Sequence, residues 1–272
     1  MIQVIKIGGN IVDNPPLLES FAKDFAALKG KKILIHGGGI MASQMQKAMG
    51  LKPKMIDGRR VTDEETLRIV TMVYAGWGNK NIVALLQAHG CNSIGLSGVD
   101  ANVIKARKRQ PIWIDSQNSE VDFGYVGDID PTGVNAKFLI SLTEQGITPV
   151  LCAINHDGKG QLLNTNADTV ASSIAIALAN YTHCSNDGRP THAIDLIYCF
   201  EKDGVLYDKD DDSSVIPQIN IEDFESLKQE GVVVDGMIPK LSNSFKAIEN
   251  GVSRVIIKHA KNLLNDRGTI LL

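Results

Sequence analysis

The chain has 272 residues, 43% hydrophobic and 22% charged, with a formal net charge of −3. That length supports a full hydrophobic core in one or two domains, and the charge gives no electrostatic case for nucleic acid as a partner. No apolar run reaches the roughly 18 residues of a membrane span, the chain enters a strand with no signal peptide, and Cys91, Cys152, Cys184 and Cys199 are scattered without metal-ligand spacing; inert thiols in a reducing cytoplasm are expected.

Ile2, Val4, Ile5 and Ile7 predict a first strand that runs out into Lys6-Ile7-Gly8-Gly9-Asn10. A helix over 16–29 follows, with Leu17, Leu18, Phe21, Phe25 and Leu28 on one face, Pro16 in its first turn and Gly30 at its end. Ile33–Ile35 form a second apolar strand, followed by His36, Gly37, Gly38 and Gly39 and then a helix carrying Met41, Met45, Ala48 and Met49. Residues 2–36 thus read as a β-α-β unit with parallel strands, which brings both glycine loops to one edge of the sheet. Glycine loops that lead into helix N-termini suit anions, because backbone N–H groups and the positive end of the helix dipole face the ligand. One such loop alone reads equally well as a tight turn; two with a lysine beside them suggest a phosphoryl group held between them.

Further along, Thr62-Asp63-Glu64-Glu65 predicts a capping box in which Thr62 accepts from the Glu65 N–H. The helix it opens carries Leu67, Ile69, Val70, Met72, Val73, Tyr74 and Trp77, more than one apolar stripe; that pattern suits burial on two sides, either within one chain or against a second copy, and the expectation adopted is a homodimer through this helix at 63–77. A separate helix follows over 79–89 and a strand over 93–96. Residues 103–126 alternate and predict antiparallel strands on a surface flap, with Lys105, Arg107, Lys108 and Arg109 on a solvated turn. A helix over 135–145 and a strand over 147–151 precede the hairpin turn Asp157-Gly158-Lys159-Gly160. Asn164 and Asn166 then read as caps of a helix with Asp168 in its first turn and Val170, Ala171, Ile174, Ala175 and Leu178 toward the core. Residues 181–192 are polar and suit a linker or insertion. A strand over 193–199, a helix over 221–230, a helix opened by Asp235-Gly236-Met237-Ile238-Pro239-Lys240, and strands over 255–258 and 269–272 complete an α/β fold with a largely parallel sheet. Asp208–Ser213 lacks the glycine and the closing glutamate of a calcium loop.

No G-x-x-x-x-G-K-[ST], no G-x-G-x-x-G after the first strand and no G-x-S-x-G is present, which excludes a P-loop and a serine elbow and weakens a dinucleotide reading. What remains is two glycine loops, Lys6 beside one, and Lys240 at a helix start. Phosphoryl transfer needs reactants in line and positive charge on the transferring oxygens. Two lysines supply that charge, and a carboxylate between them, Asp168, would hold both ammonium groups. Taken singly, each lysine reads as an exposed residue.

KIGGN at 6–10, IHGGG at 35–39, GRRVT at 58–62, LNTNAD at 163–168 and DGMIPK at 235–240 occur in the order found in acetylglutamate kinases, and over nearly its whole length the chain resembles that branch of the amino acid kinase family. The resemblance implies a three-layer α/β sandwich with a mostly parallel central sheet and two lobes. Residues 1–180 would bind N-acetyl-L-glutamate and dimerise; residues 181–272 would bind ATP, with Mg²⁺ arriving on the nucleotide. It implies that Lys6 and Lys240 stabilise the transferring phosphoryl group and that Asp168 organises them. Backbone at Gly38 and Gly39, the Arg60 side chain and Asn164 would hold the acylated amino acid, and Gly8 and Gly9 the phosphates. The planar fork of Arg60 suits a substrate carboxylate. Phe200, Glu201, Lys202, Asp203 and Gly204 align with the family's nucleotide loop, which usually has Ser/Thr-Asp/Asn near the strand end; Gly204 fits and the rest of the stretch departs from that pattern. Residues 183–192 look inserted, and an N-terminal helix associated with arginine-inhibited hexamers is absent, which predicts a dimer without arginine feedback. The expected reaction is phosphorylation of the 5-carboxylate of N-acetyl-L-glutamate by ATP. An N-succinyl-L-glutamate kinase, another carboxylate or carbamate kinase, and a non-catalytic nucleotide sensor on the same fold are the alternatives.

Overall fold

A computed structural model describes residues 1–183, 192–234 and 237–272. Cys184, nearly all of the expected insertion at 183–192, and Asp235-Gly236 lie outside the described residues. In chain order the elements are β1 (Ile2–Ile7), α1 (Gly9–Val12), α2 (Pro15–Ala27), β2 (Lys31–His36), α3 (Gly39–Ala48), β3 (Met55–Ile56), β4 (Arg59–Arg60), α4 (Glu64–Thr71), α5 (Asn79–Ala88), β5 (Ser93–Leu96), β6 (Ile104–Lys108), β7 (Ile112–Ile114), β8 (Ser119–Val121) and β9 (Gly127–Val134). The chain continues through α6 (Ala136–Glu144), β10 (Thr148–Cys152), β11 (Ile154–His156), β12 (Leu162–Asn164), α7 (Ala167–His183), β13 (Ile194–Phe200), β14 (Gln218–Ile219), α8 (Ile221–Gln229), α9 (Met237–Glu249), β15 (Arg254–His259) and β16 (Thr269–Leu271).

The main sheet has the order β14-β16-β15-β13-β1-β2-β10-β5. From β15 to β5 every pairing is parallel, while β16 runs antiparallel to β15. The expected parallel sheet therefore ends in two reversed strands. Its central strands are buried on both faces, which is why they read as near-continuous apolar runs. Ile2, Val4, Ile33, Ile35 and Leu196 pack against α6, α7 and α9 through Leu139, Val170, Ile174, Leu241 and Phe245. Ile5, Ile7, Leu34, Val150 and Ile197 face α2 and α5 through Leu18, Phe21, Phe25, Ile82 and Leu86. Helix, sheet and helix make the three layers. The flap expected over 103–126 is met only in part: the β7–β8 hairpin lies within it, but β6 joins β9, β11 and β12 in a second sheet that extends beyond it, pairs parallel with β11, buries Ile104 and carries Lys105, Arg107 and Lys108 within the strand rather than on a turn.

Local chemistry explains several boundaries. Asn14 accepts from the Leu17 N–H to start α2, and the buried Lys32 ammonium ends that helix by donating to the carbonyls of Phe25, Ala26 and Leu28 at 2.6, 3.0 and 2.7 Å, where the helix dipole favours a cation. Two sequence expectations are corrected at α4. Asp63, not Thr62, is its N-cap, accepting from Thr66 N–H; Thr62 is drawn away into a bridge with Gly124, its N–H donating to the Phe123 carbonyl. The helices expected over 62–77 and 79–89 form one helical run, α4 and α5 joined through a π-helical turn at Met72–Gly78. In that turn Val73 and Tyr74 are buried, whereas Met72 and Trp77 are exposed, Trp77 by 70%.

Candidate active site

Period-2 alternation brings the first charges together. Lys6 shares its strand face with Ile2 and Val4, the face that α7 covers. Asp168, in the first turn of α7, receives it: Lys6 Nζ lies 2.8 Å from Asp168 Oδ1. Beside Lys6 in register stands Tyr198, buried on β13, whose hydroxyl donates to the Asp168 carbonyl at 3.4 Å. Lys240 enters from the first turn of α9 and lines the same cleft as Asp168. Burial pushes the Asp168 carboxyl up, but the Lys6 and Lys240 ammonium groups outweigh it and leave its pKa below the usual carboxylate value. Burial also lowers the Lys240 pKa, against the pull of Asp168. A charged carboxylate between two cations is the resulting state, with net positive charge at the cleft.

The cleft has a volume of about 530 Å³ and is bordered by Gly38, Gly39, Arg60, Asn164, Asp168 and Lys240. Four residues expected to bind the acylated amino acid thus share one cavity. Gly38 takes φ +157°, and a side chain there would meet the Tyr74 ring at 2.8 Å; only glycine fits. Arg60 reaches the cleft on a two-residue β3–β4 hairpin in which Asp57 and Gly58 both have positive φ, the turn an Asp-Gly pair favours. Its guanidinium is buried against α3. Nη2 donates to the Gly39 carbonyl at 2.8 Å and to Ser43 Oγ at 2.7 Å, and Nη1 donates to Gln46 Oε1. Gln46 is fixed in turn by donating to Thr66 Oγ1 at 3.0 Å. Asn164 is not a helix cap as expected. It sits in β12 and donates to Thr62 Oγ1 at 3.0 Å, while Asn166 alone caps α7, accepting from the N–H groups of Asp168 and Thr169.

Gly8, Gly9 and Glu201–Gly204 do not border this cleft; they lie next to each other at the ends of β1 and β13. The Gly8 N–H donates to the Cys199 carbonyl at 2.9 Å, and a side chain on Gly8 would approach Glu201 Oε1 to 3.7 Å. Glu201 is exposed, Lys202 is paired with Asp212 at 2.6 Å, and Asp203 accepts from Asn262 at 2.9 Å. Gly204 is buried where a side chain would strike Thr269 Oγ1 at 2.6 Å.

Pattern reading missed Gln46, Ser43, Tyr74 and Tyr198. The apolar stripe expected from Met41, Met45, Ala48 and Met49 is corrected: Met45, Ala48 and Met49 are exposed and α3 buries Ala42 and Gln46, so a buried glutamine left no periodic mark; Tyr74 and Tyr198 sit among core residues and carry none either. Arg109 also lines the cleft, but its guanidinium is held by Asp128, with Nε 3.0 Å from Oδ1, and lies over the Phe123 ring.

Comparison with known proteins gives the family. The amino acid kinase family pattern matches residues 1–184 and 188–259. An acetylglutamate kinase from Cytophaga hutchinsonii is 51% identical, over 99% of this chain and 96% of its own length. One from Bacteroides fragilis is 48% identical over 98% and 95%. Among solved structures, the N-acetylglutamate synthase of Neisseria gonorrhoeae superposes with a TM-score of 0.77 at 23% identity, covering 99% of this chain and 59% of that longer one, which shows the shared fold. The chain belongs to the amino acid kinase family, in its acetylglutamate kinase branch.

Proposed function

We propose that this chain transfers the γ-phosphoryl group of ATP to the 5-carboxylate of N-acetyl-L-glutamate, giving N-acetyl-L-glutamyl 5-phosphate and ADP. The observation that carries the reading is the Lys6–Asp168–Lys240 cluster at the end of the cleft that also holds Arg60 and Asn164. In this reading the acyl amino acid lies in the cleft, with a carboxylate on Arg60, and its amide and acetyl groups near Asn164 and the Gly38–Gly39 backbone. The nucleotide lies along the neighbouring ends of β1 and β13, over Gly8 and Gly9 and beside Glu201–Gly204. Residues 1–180 serve as the acyl-glutamate lobe and 181–272 as the nucleotide lobe.

The acceptor carboxylate is ionised at neutral pH and needs no general base. Its approach to a phosphoryl group is a meeting of like charges, and the two lysines offset that repulsion most strongly when charge spreads over the equatorial oxygens. Asp168 keeps the ammonium groups apart and aimed without touching the transferring group. Mg²⁺ comes as part of the nucleotide substrate, on its phosphates. The exposed Met72 and Trp77 next to α4 support a homodimer through this run, and a cytoplasmic biosynthetic enzyme fits the free, buried thiols of Cys91, Cys152 and Cys199.

A coupled ADP-release assay with N-acetyl-L-glutamate, glutamate, aspartate and carbamate tests this. Turnover is expected with N-acetyl-L-glutamate only; turnover with carbamate alone, or with nothing, rejects it.

A further inference from the structure

Phe200 closes β13 beside the cluster, and the structure gives its ring a specific neighbour. Leu196, Tyr198 and Phe200 alternate onto the β13 face that α7 and α9 cover. At the end of that strand the Phe200 ring lies under the Lys240 ammonium, 4.5 Å from Nζ to the ring centroid. Lys240 needs such a partner. Its place in the first turn of α9 sets a cation against the positive end of the helix dipole. Asp168, a carboxylate that acts on Lys240 together with Glu201, is engaged by Lys6 at 2.8 Å, and among the described residues Lys240 makes no ion pair within 4.0 Å. An aromatic face carries partial negative charge and attracts an ammonium within about 6 Å, most strongly where water is excluded.

We propose that Phe200 is a positioning residue whose ring holds the Lys240 ammonium charged and in place beside the transferring phosphoryl group. The role assigned to Lys240 rests on the function proposed above. The ring meets one side of the ammonium, leaving its other side for phosphoryl oxygens, and opposes the dipole and the charge of Lys6. Burial lowers the Lys240 pKa; Asp168 from α7 and Glu201 just past β13 raise it, and Lys6 from β1 lowers it. Tyr198, the remaining titratable group on that face, stays neutral because burial and Asp168 push its phenol up.

The test compares Phe200→Leu, which keeps apolar bulk without a π face, with Phe200→Trp, which restores one; Phe200→Met serves if the leucine variant does not fold by circular dichroism. Two readouts are taken. With MgATP, F200L is expected to lower kcat about tenfold at unchanged KM for N-acetyl-L-glutamate, and F200W to retain most of it. Independently of turnover, acetylation of Lys240 by an N-hydroxysuccinimide ester, followed by mass spectrometry across pH, should show its midpoint falling by at least about 0.5 unit in F200L and returning in F200W. Equal labelling midpoints in wild type and F200L overturn the proposal. If the wild-type chain shows no kinase turnover, the function proposed above fails, while the labelling comparison still decides whether Phe200 holds the charge.

Discussion

His36 ends β2 immediately before the Gly37–Gly39 loop, and its ring is fully buried. Its hydrogen bonds fix one neutral tautomer. Asn79 Nδ2 donates to Nε2 at 3.1 Å and to the Val150 carbonyl at 3.0 Å, so that amide cannot flip without losing Val150. Nε2 therefore accepts, and Nδ1 carries the proton and donates to the Gly37 carbonyl at 2.7 Å. Protonating Nε2 would set two donors against each other in a dry site, and burial accordingly lowers the pKa to about 4. The unfolded chain binds a proton near pH 6.5 and the folded chain does not until near pH 4, so the unfolded state holds more protons between those values. Stability is thus intact above about pH 7, falls as pH drops through that window, and is lost no further below about pH 4. Linkage over this interval gives a loss of about 2 kcal/mol between pH 7.5 and 5.0 from His36 alone. The assay is urea unfolding of wild type and His36→Gln at both pH values. H36Q should be less stable at pH 7.5 by about 1–3 kcal/mol, because it disturbs buried hydrogen bonds, but should lose about 2 kcal/mol less than wild type on going to pH 5.0. Identical pH dependence in the two proteins would refute the assignment of a neutral, buried imidazole.

Replacing Lys6 or Lys240 with Ala should lower kcat by about 10²–10³, the cost of one preorganised donor to developing charge, with little change in KM for the acyl amino acid; full kcat in K6A would remove its role. Arg60→Ala should raise KM for the acyl amino acid and leave that for ATP near normal, and Gln46→Leu should do the same to a smaller extent, since Gln46 holds the guanidinium; an equal rise in both constants would mark a structural role. Light scattering should find a dimer that Trp77→Asp shifts toward monomer, and a monomeric wild type would sink the interface. On one preparation, kcat/KM should favour N-acetyl- over N-succinyl-L-glutamate, as membership of the acetylglutamate kinase branch implies; a succinyl preference above tenfold, about 1.4 kcal/mol in the barrier, would refute the acetyl assignment while leaving the transfer chemistry in place.

What was legible in the sequence and what was not divides along a physical line. The β1–α2–β2 unit could be read because apolar spacing, Pro in the first turn and Gly at the helix end are local signals, and parallel pairing then sends both glycine loops to one edge. The reversal of β16 could not, because an apolar strand of three residues reads the same in either direction. At α4 the error was a competition between neighbours: Thr62 and Asp63 both suit an N-cap, and tertiary pairing with Gly124 removed the threonine. The site shows the same division more sharply. Lys6 as a strand-end lysine and Asp168 as a first-turn acid are each ordinary. They meet because α7 covers the face of β1 that Lys6 shares with Val4, a fact of the layer packing and not of either segment. Arg60 carries the argument one step further. A guanidinium on a two-residue hairpin would be mobile and solvated by itself; here α3 binds it through Gly39, Ser43 and Gln46 before any ligand arrives. Its ordering cost is thereby met during folding, which leaves more of its interaction energy for binding. The same helix that opens on the second glycine loop therefore sets both the backbone and the cation of the cleft, through Gly39, Ser43 and Gln46.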